Sequence, residues 1–184
     1  AALENRRAVL REGENAIQRT TAILDEHARK VFDTVDLLIG RVDDHIHHIT
    51  TFHRLRDDAL KDDGSDFLRA IKAPLPQAVS VWVSSRDGKI LAGSQPWDPV
   101  VDIADRPFFQ IHAKGSRRTE ISEAFVGRAT NVASVAVSRA RIDHAGEFSG
   151  IVHVSVSPDY FANVFREAAP EGNHLAMLMR GDGS

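Results

Sequence analysis

The chain has 184 residues, of which 42% are hydrophobic and 27% are charged, and its formal net charge is −3. This composition is typical of a globular protein and excludes a disordered or collagen-like chain. The small charge argues against a nucleic-acid partner, and the lack of cysteine excludes disulfides, thiolate zinc sites and a cysteine nucleophile.

Residues 1–60 carry a regular apolar period. Positions spaced seven apart from Leu3 to Phe52 are apolar except His45, and over much of this stretch a second series lies four residues further on. Together they form the a/d seam of a heptad, which predicts one helix from about Leu3 to Leu60, roughly 85 Å long at 1.5 Å per residue. Its first half is either a stalk that pairs with a second copy of the chain or an arm ordered only by packing.

Four histidines near the end of this helix are the natural candidates for a metal site. His45 and His48 share a helix face, but His47 points elsewhere and His53 lies more than a turn away. Zinc needs three or four ligands that converge from one side. We therefore expect no metal ion, and no motif in the chain indicates a cofactor.

Residues 61–169 have the pattern of short helices, strands and turn residues that is typical of a compact α+β module. We predict, in chain order, a linker at Asp62–Asp66, a short helix to Lys72, strands in VSVWVSS and KILAGS joined at Arg86-Asp87-Gly88, a short helix in DIADRPFFQIHAKG with Asp105 as its N-cap, strands in TEISEAFV, ASVAVSRARID and EFSGIVHVSVS, and a last helix in PDYFANVFREA. This order predicts a five-stranded, mainly antiparallel sheet with helices on its faces.

One face of the fourth predicted strand carries only small residues, namely Ser134, Ala136, Ser138 and Ala140. Such a face either packs tightly against a helix or leaves a hollow that aromatic side chains would close into a ligand pocket. The sequence is compatible with both arrangements.

The last residues, 170–184, repeat the start of the first predicted hairpin. The segment HLAMLMRGDGS ends in Asp182-Gly183, as the first hairpin turn contains Asp87-Gly88. We therefore expect these residues to begin a second, truncated module.

The order of a long helix followed by VWVSSRDGKILAGS, ADRPFFQ, ISEAFVG and SRARIDHAGEFSGIVHVSVSPDYF resembles the double Cache sensor domain of bacterial transmembrane receptors. The resemblance covers residues 1–169, the membrane-distal module, and its most specific parts are the segments 105–109 and 150–161. It implies a PAS-like fold, in which a long N-terminal helix packs on a five-stranded antiparallel sheet with short flanking helices.

The resemblance also implies an extracytoplasmic, periplasmic location and a function without catalysis. Such a domain binds a small molecule and passes a helix shift to the membrane within an inner-membrane receptor. We predict a sensor histidine kinase as the parent, with a diguanylate cyclase or a chemoreceptor as the alternative. No window of the chain approaches about 18 consecutive apolar residues, so membrane contact is expected only through segments absent from this chain.

Within this family an arginine of the short helix commonly holds a ligand carboxylate, and Arg106 matches that position. A planar guanidinium forms bidentate hydrogen bonds with a carboxylate, which agrees with this role. The alternative is a local ion pair of Arg106 with Asp102 or Asp105. Phe108 and Phe109 match the aromatic pair that follows the arginine, and we expect one to wall the pocket and the other to enter the core.

Three departures from the amino-acid-binding branch bear on the ligand. Val101 replaces a tyrosine, Phe108 and Phe109 replace a Trp-Tyr pair, and Ser155 takes the place of an aspartate that holds the ligand ammonium group. Without that carboxylate a buried ammonium would lack a charged partner, which is unfavourable. The ligand is therefore expected to be a carboxylate without an α-amine, such as an aliphatic or aromatic organic acid.

Further candidate ligand contacts, each with a core or surface role as its alternative, are Trp82, Ser84, His112, Phe125, Arg128, Asn131 and Ser138. A hydrolase that uses Ser138 or His153 with Asp143 is the enzymatic alternative, but no nucleophile elbow, metal triad or phosphate loop supports it. A third alternative is a structural module that dimerises through its helix and binds no ligand.

Overall fold

The computed structural model describes residues 2–52 and 57–168. Its elements are, in chain order, α1 (Ala2–Phe52), α2 (Asp57–Lys72), β1 (Ala78–Ser84), β2 (Ile90–Gly93), α3 (Pro107–Ala113), β3 (Glu120–Val126), β4 (Ala133–Ile142), β5 (Phe148–Val156) and α4 (Pro158–Ala168). The predicted α+β class, a long N-terminal helix with a five-stranded antiparallel sheet and short helices, is confirmed. The predicted start of a second module, 170–184, lies outside the described residues.

The five strands form one antiparallel sheet in the order β2-β1-β5-β4-β3. The last strand in the chain, β5, is therefore its central strand, and His153 of β5 lies opposite Trp82 of β1 and Ser138 of β4. The first hairpin turns at Gly88, which has a positive φ of 86°. Position 150 must also be a glycine, because its φ is 126° and a Cβ there would lie 2.0 Å from the Ser84 carbonyl oxygen.

The two faces of the sheet support two separate cores, because successive side chains of a strand point to opposite faces. Val152, Val154 and Val156 of β5 belong to the larger core, which includes α1. Ile151, the β5 residue before Val152, packs with Phe108 and other residues on the side of α3. The helices thus lie on both sides of β5.

The small-residue face of β4 packs against α3 over part of its length. Ala136 is fully buried in the core on the α3 side, and the Ser138 hydroxyl lies 3.0 Å from His112 Nε2 of α3. A hollow does exist on this face of the sheet, but it lies toward β1 and β5. Both alternatives left open by the sequence are therefore realised at different places.

Only the second half of α1 packs on the sheet. Val35, Ile39, Val42 and Ile46 are fully buried there, whereas residues 5–23 are exposed, apart from a half-buried Thr20. The first half of the helix thus extends beyond the described globular body. Within the described ranges, no helix is long and apolar enough to cross a membrane.

Two polar contacts fix α1 to the sheet beside this apolar core. Arg139 of β4 forms a 2.5 Å ion pair with Asp36, which also accepts a hydrogen bond from the Thr119 hydroxyl. Arg141 Nε lies 3.8 Å from an Asp43 carboxylate oxygen, and burial raises the pKa of Asp43. These contacts join helix positions 36 and 43 to one strand.

The prediction of one helix as far as Leu60, followed by a linker, is wrong. A second helix, α2, begins at Asp57 and lies beside α1, where the Phe67 ring stacks on His45 with centroids 3.7 Å apart. Asp62–Asp66 lies inside α2. A Cβ at Gly64 would lie 3.3 Å from the Ala92 Cβ, so this glycine permits close packing of α2 on β2 and does not mark a linker.

The histidines considered for a metal site do not converge in the part of the chain that is described, where no group of three His, Cys, Asp or Glu side chains could hold a metal ion. His45 is engaged with Phe67, and the ring of His47 lies 4.3 Å from that of His144. His53 lies outside the described residues.

Truncation of the buried face of α1 tests this packing. We expect Ile39→Ala to lower the free energy of unfolding by about 2–5 kcal/mol, because the fully buried side chain would leave a cavity. Leu37→Ala is the matched control, since Leu37 is 71% exposed and its loss should change stability by no more than about 0.5 kcal/mol. Urea denaturation of both variants measures the difference. Equal effects would contradict the assigned faces.

Candidate ligand-binding site

A cavity of about 30 Å³ lies on the face of the sheet opposite α1, between β1, β5, the start of α3 and residues 127–130. Its lining residues are Trp82, Ile90, Val101, Ile103, Arg106, Phe108, Phe125, Gly127, Arg128, Ala129, Thr130, His153 and Ser155. Its volume suffices for about two water molecules. The walls are mainly apolar, and both charged lining residues are arginines.

Arg106 is placed at the cavity by the start of α3. It is the N-cap residue, in extended conformation, and Pro107 begins the helix because its fixed φ suits the first helical position. One guanidinium nitrogen donates to the Val126 carbonyl at 3.0 Å, and the guanidinium carbon lies 5.4 Å from the Phe125 ring centroid. Among the described residues, no carboxylate lies within ion-pair distance of Arg106.

Arg128 takes the carboxylate that could otherwise have paired with Arg106. Its two terminal nitrogens each donate to Asp105 at 2.6 Å, and one also donates to the Asp102 carbonyl oxygen at 2.6 Å. The hydrogen bond from Arg128 is the main cause that lowers the pKa of Asp105 to about 2. The predicted N-cap role of Asp105 is wrong, because the N-cap is Arg106 and makes no side-chain cap bond.

Arg106 is therefore a cation with no carboxylate within ion-pair distance among the described residues. Burial, followed by repulsion from Arg128, lowers the pKa of Arg106, while the more distant attraction from Asp105 opposes this shift. A guanidinium still stays protonated at neutral pH. The cavity thus has a positive charge that an anion would neutralise.

His153 forms part of the cavity wall from the central strand. It is 4% exposed, and its Nδ1 has no hydrogen-bond partner among the described residues. The Phe108 ring lies 5.1 Å from it between centroids. Burial lowers the pKa of His153 to about 3, so the imidazole is neutral at physiological pH.

The structure brings six of the eleven predicted site residues together. Those that line the cavity are Trp82, Arg106, Phe108, Phe125, Arg128 and Ser155. Trp82 presents its ring, since its Nε1 donates to the Ser80 hydroxyl at 2.7 Å.

The other five predicted residues lie outside the cavity lining, and they are Ser84, Phe109, His112, Asn131 and Ser138. Phe109 packs on the core side against Phe148, with ring centroids 5.6 Å apart. The Ser84 hydroxyl accepts a hydrogen bond from the Ile151 amide at 3.1 Å, and Asn131 is exposed with φ 52°. His112 is fully buried and contacts the Ser116 carbonyl and the Ser138 hydroxyl, each at 3.0 Å.

Sequence reasoning placed Ser155 in the site but considered His153 only for an enzyme. The available signal was strand alternation, because residues two apart on one strand share a face. The contributions of Ile90, Gly127, Ala129 and Thr130 had no such local signal, since the strand pairing and the turn of the chain bring them to the cavity.

No protein-family profile and no curated protein matches the chain, whereas solved structures do. The extracellular domain assigned to the histidine kinase rpHK1S-Z16 matches with TM-score 0.71 and 24% identity, over 86% of this chain and 63% of that one. The sensory domain of the Campylobacter jejuni chemoreceptor Tlp3, with isoleucine bound, matches with TM-score 0.66 and 13% identity, over 83% of this chain and 61% of that one. The chain has the fold of extracellular sensor domains.

A third match is the ligand-binding domain of the Pseudomonas aeruginosa amino-acid chemoreceptor PctC in complex with GABA, with TM-score 0.66 and 14% identity, over 86% of this chain and 70% of that one. The predicted resemblance to Cache-type sensor domains is thus confirmed at the level of the fold. The chain spans about three fifths of the length of the rpHK1S-Z16 and Tlp3 domains.

The burial of His153 predicts an acid-dependent loss of stability. Its folded-state pKa of about 3 lies below the ordinary 6.5, so the unfolded chain binds the extra proton between these values. The free energy of unfolding should therefore fall as pH decreases from 6.5, by about 1.4 kcal/mol per pH unit relative to His153→Gln, which cannot ionise. Denaturant titrations of both proteins from pH 8 to 4.5 measure this. A pH-independent difference would contradict it.

Proposed function

We propose that this chain is the extracytoplasmic, ligand-binding sensor domain of a membrane signalling receptor, with a periplasmic location and a sensor histidine kinase as parent. A chemoreceptor or diguanylate cyclase parent is the alternative. The observation that carries this proposal is Arg106, a cation at a cavity with mainly apolar walls that has no carboxylate within ion-pair distance among the described residues. The fold shared with extracellular sensor domains supports it, and nothing in the site favours catalysis.

The proposed ligand is a small carboxylate without an α-amine. Arg106 supplies the bidentate donor pair that suits a carboxylate. Among the described residues, no Asp or Glu lines the cavity, so an ammonium group would lack a charged partner. This proposal departs from the isoleucine bound by the Tlp3 domain, which carries an α-amine; the GABA bound by the PctC domain has no α-amine but carries an ammonium group at its far end.

The proposed signal is a shift of α1 relative to the sheet. A ligand moves an equilibrium only through its different affinity for two states, here two arrangements of the cavity walls. His153 and Ser155 line the cavity, while the intervening Val154 packs in the α1 core, so a displacement of β5 at the cavity reaches the helix.

A thermal-unfolding screen of the chain against small carboxylates, amino acids, sugars and amines tests the ligand class. An organic acid at about 100 times its Kd should add about 2.7 kcal/mol, which raises the Tm by roughly 5–10 °C. Arg106→Ala should abolish the shift, because a charged hydrogen-bonding partner of the carboxylate is lost.

Arg117→Ala is the matched control for this screen, since it removes the same charge from an exposed position that does not line the cavity. It should retain the shift. A shift only with amines would contradict the carboxylate assignment. No shift with any compound, in a chain shown to be folded, would favour a structural module that binds no ligand.

The exposed half of α1 supports a second proposed property, a homodimer through its heptad seam. Leu10 and Ile17 of the seam are 62% and 56% exposed, and a second copy of the same helix would bury both. This property is compatible with the sensor and is also the main feature of the structural-module alternative.

A pair of single substitutions distinguishes the seam from the rest of the helix surface. Ile17→Lys should raise the dimer dissociation constant by about tenfold or more, because burial of an isoleucine is worth about 1.5–3 kcal/mol. Ile23→Lys, at a 64% exposed position off the seam, should leave it unchanged. Sedimentation velocity over a concentration series measures both. A monomeric wild-type chain at all concentrations would contradict the dimer.

A further inference from the structure

We propose that His153 hydrogen-bonds a neutral hydroxyl group of the ligand, so that the site selects short hydroxy-substituted monocarboxylates over unsubstituted acids and amino acids. This inference rests on the proposed ligand-binding function and adds a second polar contact to that of Arg106.

The first observation is a buried, unpartnered polar atom in a residue that lines the cavity. His153 is 4% exposed, lines the cavity, and has no hydrogen-bond partner for Nδ1 among the described residues. Buried polar side-chain atoms are nearly always hydrogen-bonded, and each exception needs an explanation.

The neighbours of His153 in the sheet do not supply the missing partner. Trp82, opposite on β1, donates its Nε1 to a serine of its own strand. Ser138, opposite on β4, has its hydroxyl 3.0 Å from His112 Nε2. The Phe108 ring covers the imidazole from α3 with a centroid distance of 5.1 Å. None of these neighbours pairs with Nδ1, and His153 also lines the cavity, so the partner is expected from a group of a ligand bound there.

The chemistry of a neutral imidazole selects a hydroxyl. One ring nitrogen carries a proton and the other a lone pair, and a hydroxyl both donates and accepts, so it suits either tautomer. An ammonium group only donates, and no acidic side chain among the described residues lines the cavity to neutralise it. A methyl group would leave Nδ1 unpaired. Sites built to hydrogen-bond a hydroxyl reject analogues that lack it.

The size of the cavity limits the length of the acid. The cavity has a volume of about 30 Å³, and Phe108 and Phe125, whose ring centroids lie 5.1 Å apart, both line it. Arg106 and His153 line this one small cavity, so a short acid held by its carboxylate at Arg106 is the class expected to present a hydroxyl to His153.

Calorimetric titration with three matched probes, lactate, propionate and alanine, tests this selection on the whole chain. They differ only in a hydroxyl, a hydrogen or an ammonium group at the second carbon. We expect lactate to bind about tenfold more tightly than propionate, because propionate lacks one hydrogen bond to a buried partner. Alanine should bind most weakly of the three.

Substitution of His153 provides the decisive comparison. His153→Phe should bind lactate and propionate within about twofold of each other while it retains the affinity for propionate. His153→Gln, whose amide still hydrogen-bonds, should keep part of the preference, and it replaces the Phe variant if that variant does not fold. His144→Phe, at the exposed turn between β4 and β5, is the control and should keep the tenfold preference.

The outcomes separate the two proposals. Binding of lactate and propionate with equal affinity, abolished by Arg106→Ala, would overturn the role of His153 and leave the carboxylate site standing. A lactate preference that His153→Phe and His153→Gln both retain in full would also overturn it, as would tightest binding of alanine. No binding of any probe would overturn this inference, and failure of the wider carboxylate screen would overturn the proposed function.

Discussion

The central position of β5 is the constraint on which the rest of the structure depends. A strand presents alternate residues to opposite faces, and β5 is paired on both edges, so its register cannot slip without exchanging the two faces. Val152, Val154 and Val156 pack in the α1 core, and His153 and Ser155 form part of the cavity wall. In the proposed sensor, a displacement of β5 at the cavity is passed to α1 through these buried valines, because protein interiors are close-packed.

The charge distribution at the cavity depends on which arginine holds Asp105. A bidentate pair with Arg128 satisfies that carboxylate and leaves Arg106 with a backbone carbonyl and an aromatic ring as its partners. A carbonyl and a ring do not neutralise a positive charge, whereas a ligand carboxylate does. The anion preference of the proposed sensor therefore depends on Arg128, although its own guanidinium is already engaged.

Much of the fold was predictable because its signals are local, and the exceptions depend on contacts distant in sequence. Strand alternation and the Asp-Gly turn predict β1 and β2 correctly. The segment DDGSD has the composition of a linker, and only the packing of Gly64 on Ala92 explains why a glycine lies within α2. At the site, Asp105 was expected to cap α3, since its partner Arg128 lies 23 residues away in sequence. Strand alternation predicts which face of the sheet His153 occupies. That its Nδ1 has no hydrogen-bond partner among the described residues can be seen only from the side chains of the neighbouring strands.

The small size of the cavity is itself compatible with a sensor. A ligand shifts the equilibrium only if it binds one arrangement of the cavity walls more tightly than another, and a ligand larger than this cavity favours an arrangement in which the walls have moved. Here Arg106 is held by the Val126 carbonyl and the Phe125 ring, so a carboxylate that enters competes for the guanidinium with these two contacts. Both belong to β3, the edge strand next to β4, whose Arg139 is bound to Asp36 of α1. In the proposed sensor, the exchange of one partner of Arg106 for another is thus the step that couples ligand entry to the sheet and, through β4 and β5, to the helix.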